Sequence, residues 1–224
     1  MNDDRVSLWM GPLGLVIVIA VFLGFGPLGG NAPGENATGS SVAAYYNAHV
    51  TTSWASIYAV AVGLALLILF VSQLRTVLRK ASGEQTFWPN VVFAAGLLLV
   101  AAVILAGTFQ MVIILASHNH EFAIVKQANF ISDNNELGFI FGIALLTLAT
   151  GASILLNRFT DPLPKTLGWW SLFVGIVACL GPIGFFAFLF GFPIWLIATG
   201  FVISTKARRS AKAVPAGLVD SNLT

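Results

Sequence analysis

Four stretches of this chain run about twenty residues or more without a single Asp, Glu, Lys or Arg: 8–28, 54–74, 91–116 and 137–156. A helix of roughly 20 apolar residues crosses the ~30 Å hydrocarbon core of a bilayer. A fifth uncharged block, 167–204, is too long for one crossing. As a single helix it would measure about 57 Å at 1.5 Å per residue. Gly181-Pro182 with Gly184, and Gly191 with Pro193, interrupt it. Proline inside a helix removes a hydrogen bond and clashes with the preceding turn. The block therefore reads as a tight hairpin of two short spans, 167–183 and 186–204, turning between Gly181 and Gly191. The alternative is one long, tilted and kinked fifth span. The expected fold is all-α, a polytopic bundle of six transmembrane helices over residues 1–205. A flexible cytoplasmic tail follows at 206–224.

Composition agrees. The 224 residues are 57% hydrophobic and 9% charged, against about 25% charged in an ordinary soluble domain. That argues against a soluble enzyme, a disordered chain or a nucleic-acid binder. Eleven scattered Lys and Arg form no phosphate-tracking stripe. The single cysteine, Cys179, excludes an internal disulfide and any multi-cysteine metal site.

The cations orient the bundle. With six spans and the N-terminus inside, Arg5, Arg75, Arg79, Lys80, Arg158, Lys165, Lys206, Arg208, Arg209 and Lys212 fall on the inner side. Only Lys126 falls outside. Acidic residues divide almost evenly. This is the positive-inside pattern, which counts cations rather than net charge. It puts both termini in the cytoplasm, and five spans would put the cationic tail outside. The first apolar run, 21 residues behind Asn2-Asp3-Asp4-Arg5, is too long and its start too weakly cationic for a cleaved signal. It reads as an uncleaved span.

Two segments lie outside. In 29–53 a turn-rich half is followed by Ser40-Ser41, which can cap a short amphipathic helix over 42–50. Val42, Tyr45, Tyr46 and His49 fall on one face of it, which reads as an interfacial helix lying on lipid, anchored by its tyrosines. The second segment, 117–136, reads as a solvated loop. The topology nonetheless gathers His49, His118 and His120 on the outer side, with Glu121, Asp133 and Glu136 as possible partners. Imidazole and carboxylate are ligands for zinc or copper, so His49, His118, His120 and Glu121 are the candidate metal set. On a helix, however, His118 and His120 would point about 200° apart, and the set is expected to fail.

Other motifs have plain explanations. Gly24-Phe25-Gly26-Pro27-Leu28-Gly29 fits G-x-G-x-x-G, but at the end of a span, without the strand and helix that make it bind a dinucleotide. Asn36-Ala37-Thr38 is a glycosylation sequon, relevant only where the transferase exists. Gly138 and Gly142 form G-x-x-x-G, a seam for close helix packing within the chain or between copies. The spans carry no Asp, Glu, Lys, Arg or His, which disfavours proton relays, voltage sensors and haem-bearing subunits. Gln110, about two turns from the outer end of the third span, is the most notable of the polar residues within spans and is expected to hydrogen-bond a neighbouring helix. No catalytic or cofactor-binding motif is present, and no cofactor is implied.

Val42-Ala-Ala-Tyr45-Tyr46-Asn-Ala-His49 stands before a span ending in Arg75 and Arg79. Leu163-Pro164-Lys165-Thr-Leu167-Gly168-Trp169-Trp170 opens the final hairpin, followed by Gly181-Pro182 and Phe192-Pro193-Ile-Trp195. The whole resembles a family of uncharacterised multi-span integral membrane proteins abundant in actinobacteria. The resemblance implies six spans and a bacterial plasma membrane, and carries over no catalytic or binding residue. The expected function is non-enzymatic: a partner or accessory subunit of a membrane complex, or a homo-oligomer, embedded in the lipid bilayer. A carrier or channel for a small neutral or apolar solute is the alternative, and an outer-face metal or proton sensor the third reading.

Overall fold

A computed structural model describes residues 7–82, 86–134, 136–156, 163–180 and 183–213. In chain order the helices are α1 (Met10–Phe25), α2 (Gly39–Ala48), α3 (Val50–Ser82), α4 (Phe87–His118), α5 (Phe122–Asn134), α6 (Glu136–Leu155) and α7 (Lys165–Ala178). A single turn, α8 (Gly184–Phe186), passes through a π-helical turn (Ala187–Gly191) into α9 (Phe192–Ala213). Four helical stretches are long and apolar enough to cross a membrane: Val50–Ser82, Phe87–His118, Phe122–Leu155 and Gly184–Arg209. Met10–Phe25 and Lys165–Ala178 are apolar but shorter. Sixteen residues of helix measure about 24 Å, a little less than the bilayer core. The all-helical membrane class is borne out, whereas a count of six crossings does not follow from length alone.

The long apolar helices are antiparallel in succession, and small residues set their register. A Cβ on Gly63 would sit 2.8 Å from Val21, joining α1 to α3. One on Gly142 would sit 2.7 Å from the Leu99 Cα, joining α4 to α6, and one on Gly151 would sit 2.9 Å from the Gly168 carbonyl oxygen, joining α6 to α7. The block 167–204 is two helices running back along each other, with Gly191 over Val174. Its turn at Gly181-Pro182 lies outside the described residues. The last helix returns to the first: Gly14 leaves room for the Leu196 carbonyl, and Gly200 for that of Met10. The six helices thus close a ring, and the first and last described residues emerge at the same end of it.

Inside the ring Phe70, Leu74, Ile143, Leu146, Trp195 and Leu196 are fully buried. Most polar groups there are paired, as an apolar surround demands, whereas Ser153 Oγ, Trp170 Nε1 and Thr199 Oγ1 are buried with no partner among the described residues. The Trp195 Nε1–H donates to Ser171 Oγ at 2.7 Å, Gln73 Nε2 to Ser7 Oγ at 2.7 Å, Ser56 Oγ to the Gly24 carbonyl at 2.8 Å, and the Gly11 N–H to Ser204 Oγ at 2.7 Å. Thr147, Thr150 and Ser171 donate to carbonyls of their own helices. Pro193, expected to break a helix, sits instead two residues past the π-helical turn. A π turn is where a helix commonly absorbs an extra residue.

The outer segments correct the sequence reading. Residues 117–136 do not form a solvated loop; most of them are α5. Val125 and Ala128 on α5 join Ile113, Ile114 and Ala116 at the end of α4 and Val42, Ala43 and Tyr46 of α2 in a second, separate apolar cluster. The short helix begins at Gly39, capped by Thr38, whose Oγ1 accepts from the Ser41 N–H at 3.3 Å. The face expected to anchor on lipid is divided: Val42 and Tyr46 are buried in protein, while His49 is exposed. Asn129 Nδ2 donates to the Pro33 carbonyl at 3.1 Å, Asn47 Nδ2 to that of Ser117 at 3.1 Å, and the Tyr45 hydroxyl to that of Gly29 at 3.3 Å. These bonds tie the loop before α2 onto α2 and α5, and α2 onto the end of α4, making a small folded cap on the bundle.

Candidate functional site

Below this cap lies a cavity of about 650 Å³. Its long walls are α3 from Ile57 to Ile68 and α4 from Val100 to Met111, and Phe185, Phe188 and Leu189 beside the π turn close a third side. Each wall is apolar because these are the middles of hydrophobic spans. The space is open beside Gly107 of α4, where an added Cβ would meet nothing within 4 Å. Ile104 and Ile68 line the cavity and are exposed at the bundle surface, so it opens at the side of the bundle.

Polarity is confined to one end. Thr108, Gln110, Ser132 and Asp133 lie at the end under the cap. Thr108 Oγ1 donates to the Ile104 carbonyl of its own helix at 2.9 Å. Gln110 makes no hydrogen bond among the described residues, so the interhelical bond expected of it is not found. Its amide, two donors and an acceptor, is available to whatever occupies the cavity. The Asp133 carboxyl is held above the usual carboxylate range, first by loss of hydration and then by the like charge of Glu35. The Tyr46 phenol is pushed up to about 12 by burial, with Tyr45 and Asp133 adding.

The candidate metal residues are placed otherwise. His49 stacks on Tyr45 with ring centroids 4.4 Å apart, and its Nδ1–H donates to the Tyr45 carbonyl at 2.9 Å. His118 is exposed in the last turn of α4. His120 has φ +58, and it terminates that helix. The His120 N–H donates to the Ser117 carbonyl at 3.3 Å and the Glu121 N–H to that of Ala116 at 2.9 Å. Those two bonds are a Schellman motif with His120 in the left-handed position that glycine usually takes. Among the described residues no group of three His, Cys, Asp or Glu is arranged to hold a metal ion. His49, His118, His120 and Glu121 are therefore not assembled into one set, because His120 is spent on turning the chain and His49 on its own helix. Gly142 packs on Leu99 within the chain; Gly138 is half-buried on the same helix.

Asp133 stands out in the sequence only as a possible metal ligand, and nothing in the sequence around Gly107 distinguishes it from the other glycines of the apolar runs. What links them is the antiparallel register of α4 with α5 and α6. That register brings Thr108 and Asp133 level, and one chain read in line does not display it. Compared with known proteins, the chain matches no protein family, no curated protein and no solved structure.

Proposed function

We propose that this chain is a six-span plasma-membrane protein with both termini cytoplasmic, and that it takes up a small apolar or neutral amphiphilic solute in the cavity between α3, α4 and the π turn. The observation that carries the reading is the cavity. About 650 Å³ lies within the 300–1,000 Å³ of small-molecule sites, which are mostly apolar with a few convergent polar groups. The solute would enter from the bilayer, keep its apolar body against Ile104, Val103 and Phe188, and offer a polar end to Gln110 and Asp133. The orientation is supported by charge. Arg75, Arg79, Lys80, Lys165, Lys206, Arg208 and Arg209 stand at one end of the ring, and Glu35, Glu121, Lys126 and Asp133 at the other. Counting about 20 residues up α3 from Arg79 reaches Ala59, which puts the outer membrane boundary at the level of Asp133 and the cap above it.

The test is saturable binding of a fluorescent fatty alcohol to the purified protein in neutral-lipid nanodiscs. Wild type should saturate at one site, and Gly107→Phe, which fills the cavity, should abolish that phase while thermal stability holds. Binding that rises without saturation, or is unchanged in Gly107→Phe, overturns the reading.

A second reading, a partner or accessory subunit of a membrane complex, is favoured by a different observation. On α5, above the proposed membrane boundary, Phe122, Ile124, Phe130 and Ile131 are all exposed. Exposed apolar patches of this kind mark interaction surfaces. The packing glycines do not add to it, since Gly14, Gly63, Gly142 and Gly151 all meet neighbours in the same chain. Pull-down from native membranes with and without Phe130→Ser distinguishes it: a stoichiometric partner lost in the variant supports an assembly role.

A further inference from the structure

At the opposite end of the bundle, Arg75, Thr76, Arg79 and Lys80 line a cleft of about 370 Å³ on the last turns of α3. Among the described residues its wall holds three cations and no carboxylate. Cations in the last turn of a helix complement its dipole, but that effect fades within one turn. It accounts for Arg79 and Lys80 and does not reach Arg75, seven residues from the end of the helix.

Arg75 is instead held in place. Its Nε and Nη2 donate to Asn90 Oδ1 at 3.0 and 2.8 Å, across the α3–α4 hairpin, and its guanidinium carbon lies 5.2 Å from the centre of the Phe93 ring. A guanidinium has five N–H donors, so three remain after Asn90 is served. Arg79 stands four residues on, one turn further along the same face. Like charges at that spacing disfavour a helix unless an anion lies between them. Thr76 cannot donate as well, because its hydroxyl donates to the Ser72 carbonyl at 3.0 Å.

The surroundings specify which anion. In the proposed orientation, Phe93 and the apolar part of α3 lie on the membrane side of the cleft and Lys80, nearer the helix end, on the aqueous side. Arginine reaching along an apolar stem to the boundary places its head at the depth of lipid phosphates. A planar guanidinium pair suits the two unesterified oxygens of a phosphodiester, which accept forked hydrogen bonds.

We propose that the Arg75–Arg79 cleft is a binding site for the phosphodiester headgroup of an anionic phospholipid, clamped by the free N–H groups of Arg75 and by Arg79, with Lys80 supplying charge. The site is independent of the outer cavity and of what that cavity holds.

The test uses the full-length protein in nanodiscs, of phosphatidylcholine alone or with added phosphatidylglycerol. It reads thermal stability and, after mild detergent extraction, retained phosphatidylglycerol by mass spectrometry. Wild type should be stabilised by phosphatidylglycerol and retain it. Arg79→Gln removes a side chain with no structural bond to lose and should weaken retention about tenfold, the scale of one charge-assisted hydrogen bond. Arg75→Lys keeps the charge, loses the fork, and should also weaken retention. Arg208→Gln, a cation on another helix at the same end, should leave it unchanged. Equal loss in Arg208→Gln means diffuse attraction to a charged surface and overturns the site. Equal stabilisation of detergent-solubilised protein by inorganic phosphate means a free-anion site and overturns the lipid assignment. No preference for phosphatidylglycerol overturns the proposal altogether.

Discussion

At residue scale the chemistry is carried by positions whose roles depend on neighbours far away in sequence. His120 occupies a left-handed backbone conformation, which costs a non-glycine residue about 1–2 kcal/mol. If its role is to end α4, His120→Gly should raise thermal stability by about 1 kcal/mol and leave metal content unchanged. A loss of stability would show that the imidazole itself contributes. Asp133 offers a pH signature. Its folded-state proton affinity is raised, so its favourable contribution is complete at pH values below the ordinary carboxylate range and is lost as pH rises through the shifted value. At neutral pH the ionised group costs stability. Asp133→Asn should therefore be more stable than wild type at pH 7, with the difference closing as pH is lowered through 4. A constant difference across that range would mean that the side chain acts by packing rather than by charge.

At the scale of elements, the long uncharged runs were legible, because twenty apolar residues in water-free surroundings have no stable form but a helix. The α5 segment was not. Lys126, Gln127, Asn129 and Asp133 give it the composition of a loop, and its apolar face is narrow, Val125 and Ala128 alone being buried apolar side chains. Those two become a core only because α2 and the end of α4 cover them, a long-range pairing with no local signal. The Gly138–Gly142 seam was legible as a site of close approach, but its partner, Leu99, was not. Gly142→Ile would push a branched side chain into backbone 2.7 Å from the Cβ position, and overpacking of this kind costs about 1–3 kcal/mol. Gly107→Ala, into open space, should be neutral or slightly stabilising. Thermal unfolding of both in one detergent checks the contrast; equal effects would contradict the register of α4 against α6.

At the scale of the molecule, a closed ring of antiparallel helices brings alternate helix ends together. Among the described residues the end bearing α3's last turns carries the Lys and Arg other than Lys126, while the acidic residues of the whole sequence divide almost evenly. A reporter fused after Thr224 should be cytoplasmic and one inserted at Gly34 external; an external C-terminus would reverse the orientation and detach the phospholipid site from its leaflet. The candidate site, by contrast, was legible only in part. Gln110 stood out as a polar residue in a span, but the empty volume beside it exists only once α3, α4 and the π turn are assembled around Gly107.

The most direct measurement of the central claim is photolabelling of the protein in native-like lipid by a fatty alcohol carrying a diazirine near its hydroxyl end, followed by peptide mapping. If the cavity holds such a solute with its polar end outward, labels concentrate on Gln110, Met111 and Asp133, and an excess of unlabelled alcohol removes them. Labels spread evenly over lipid-facing residues such as Leu69, Leu98 and Phe173, and insensitive to competition, would contradict it.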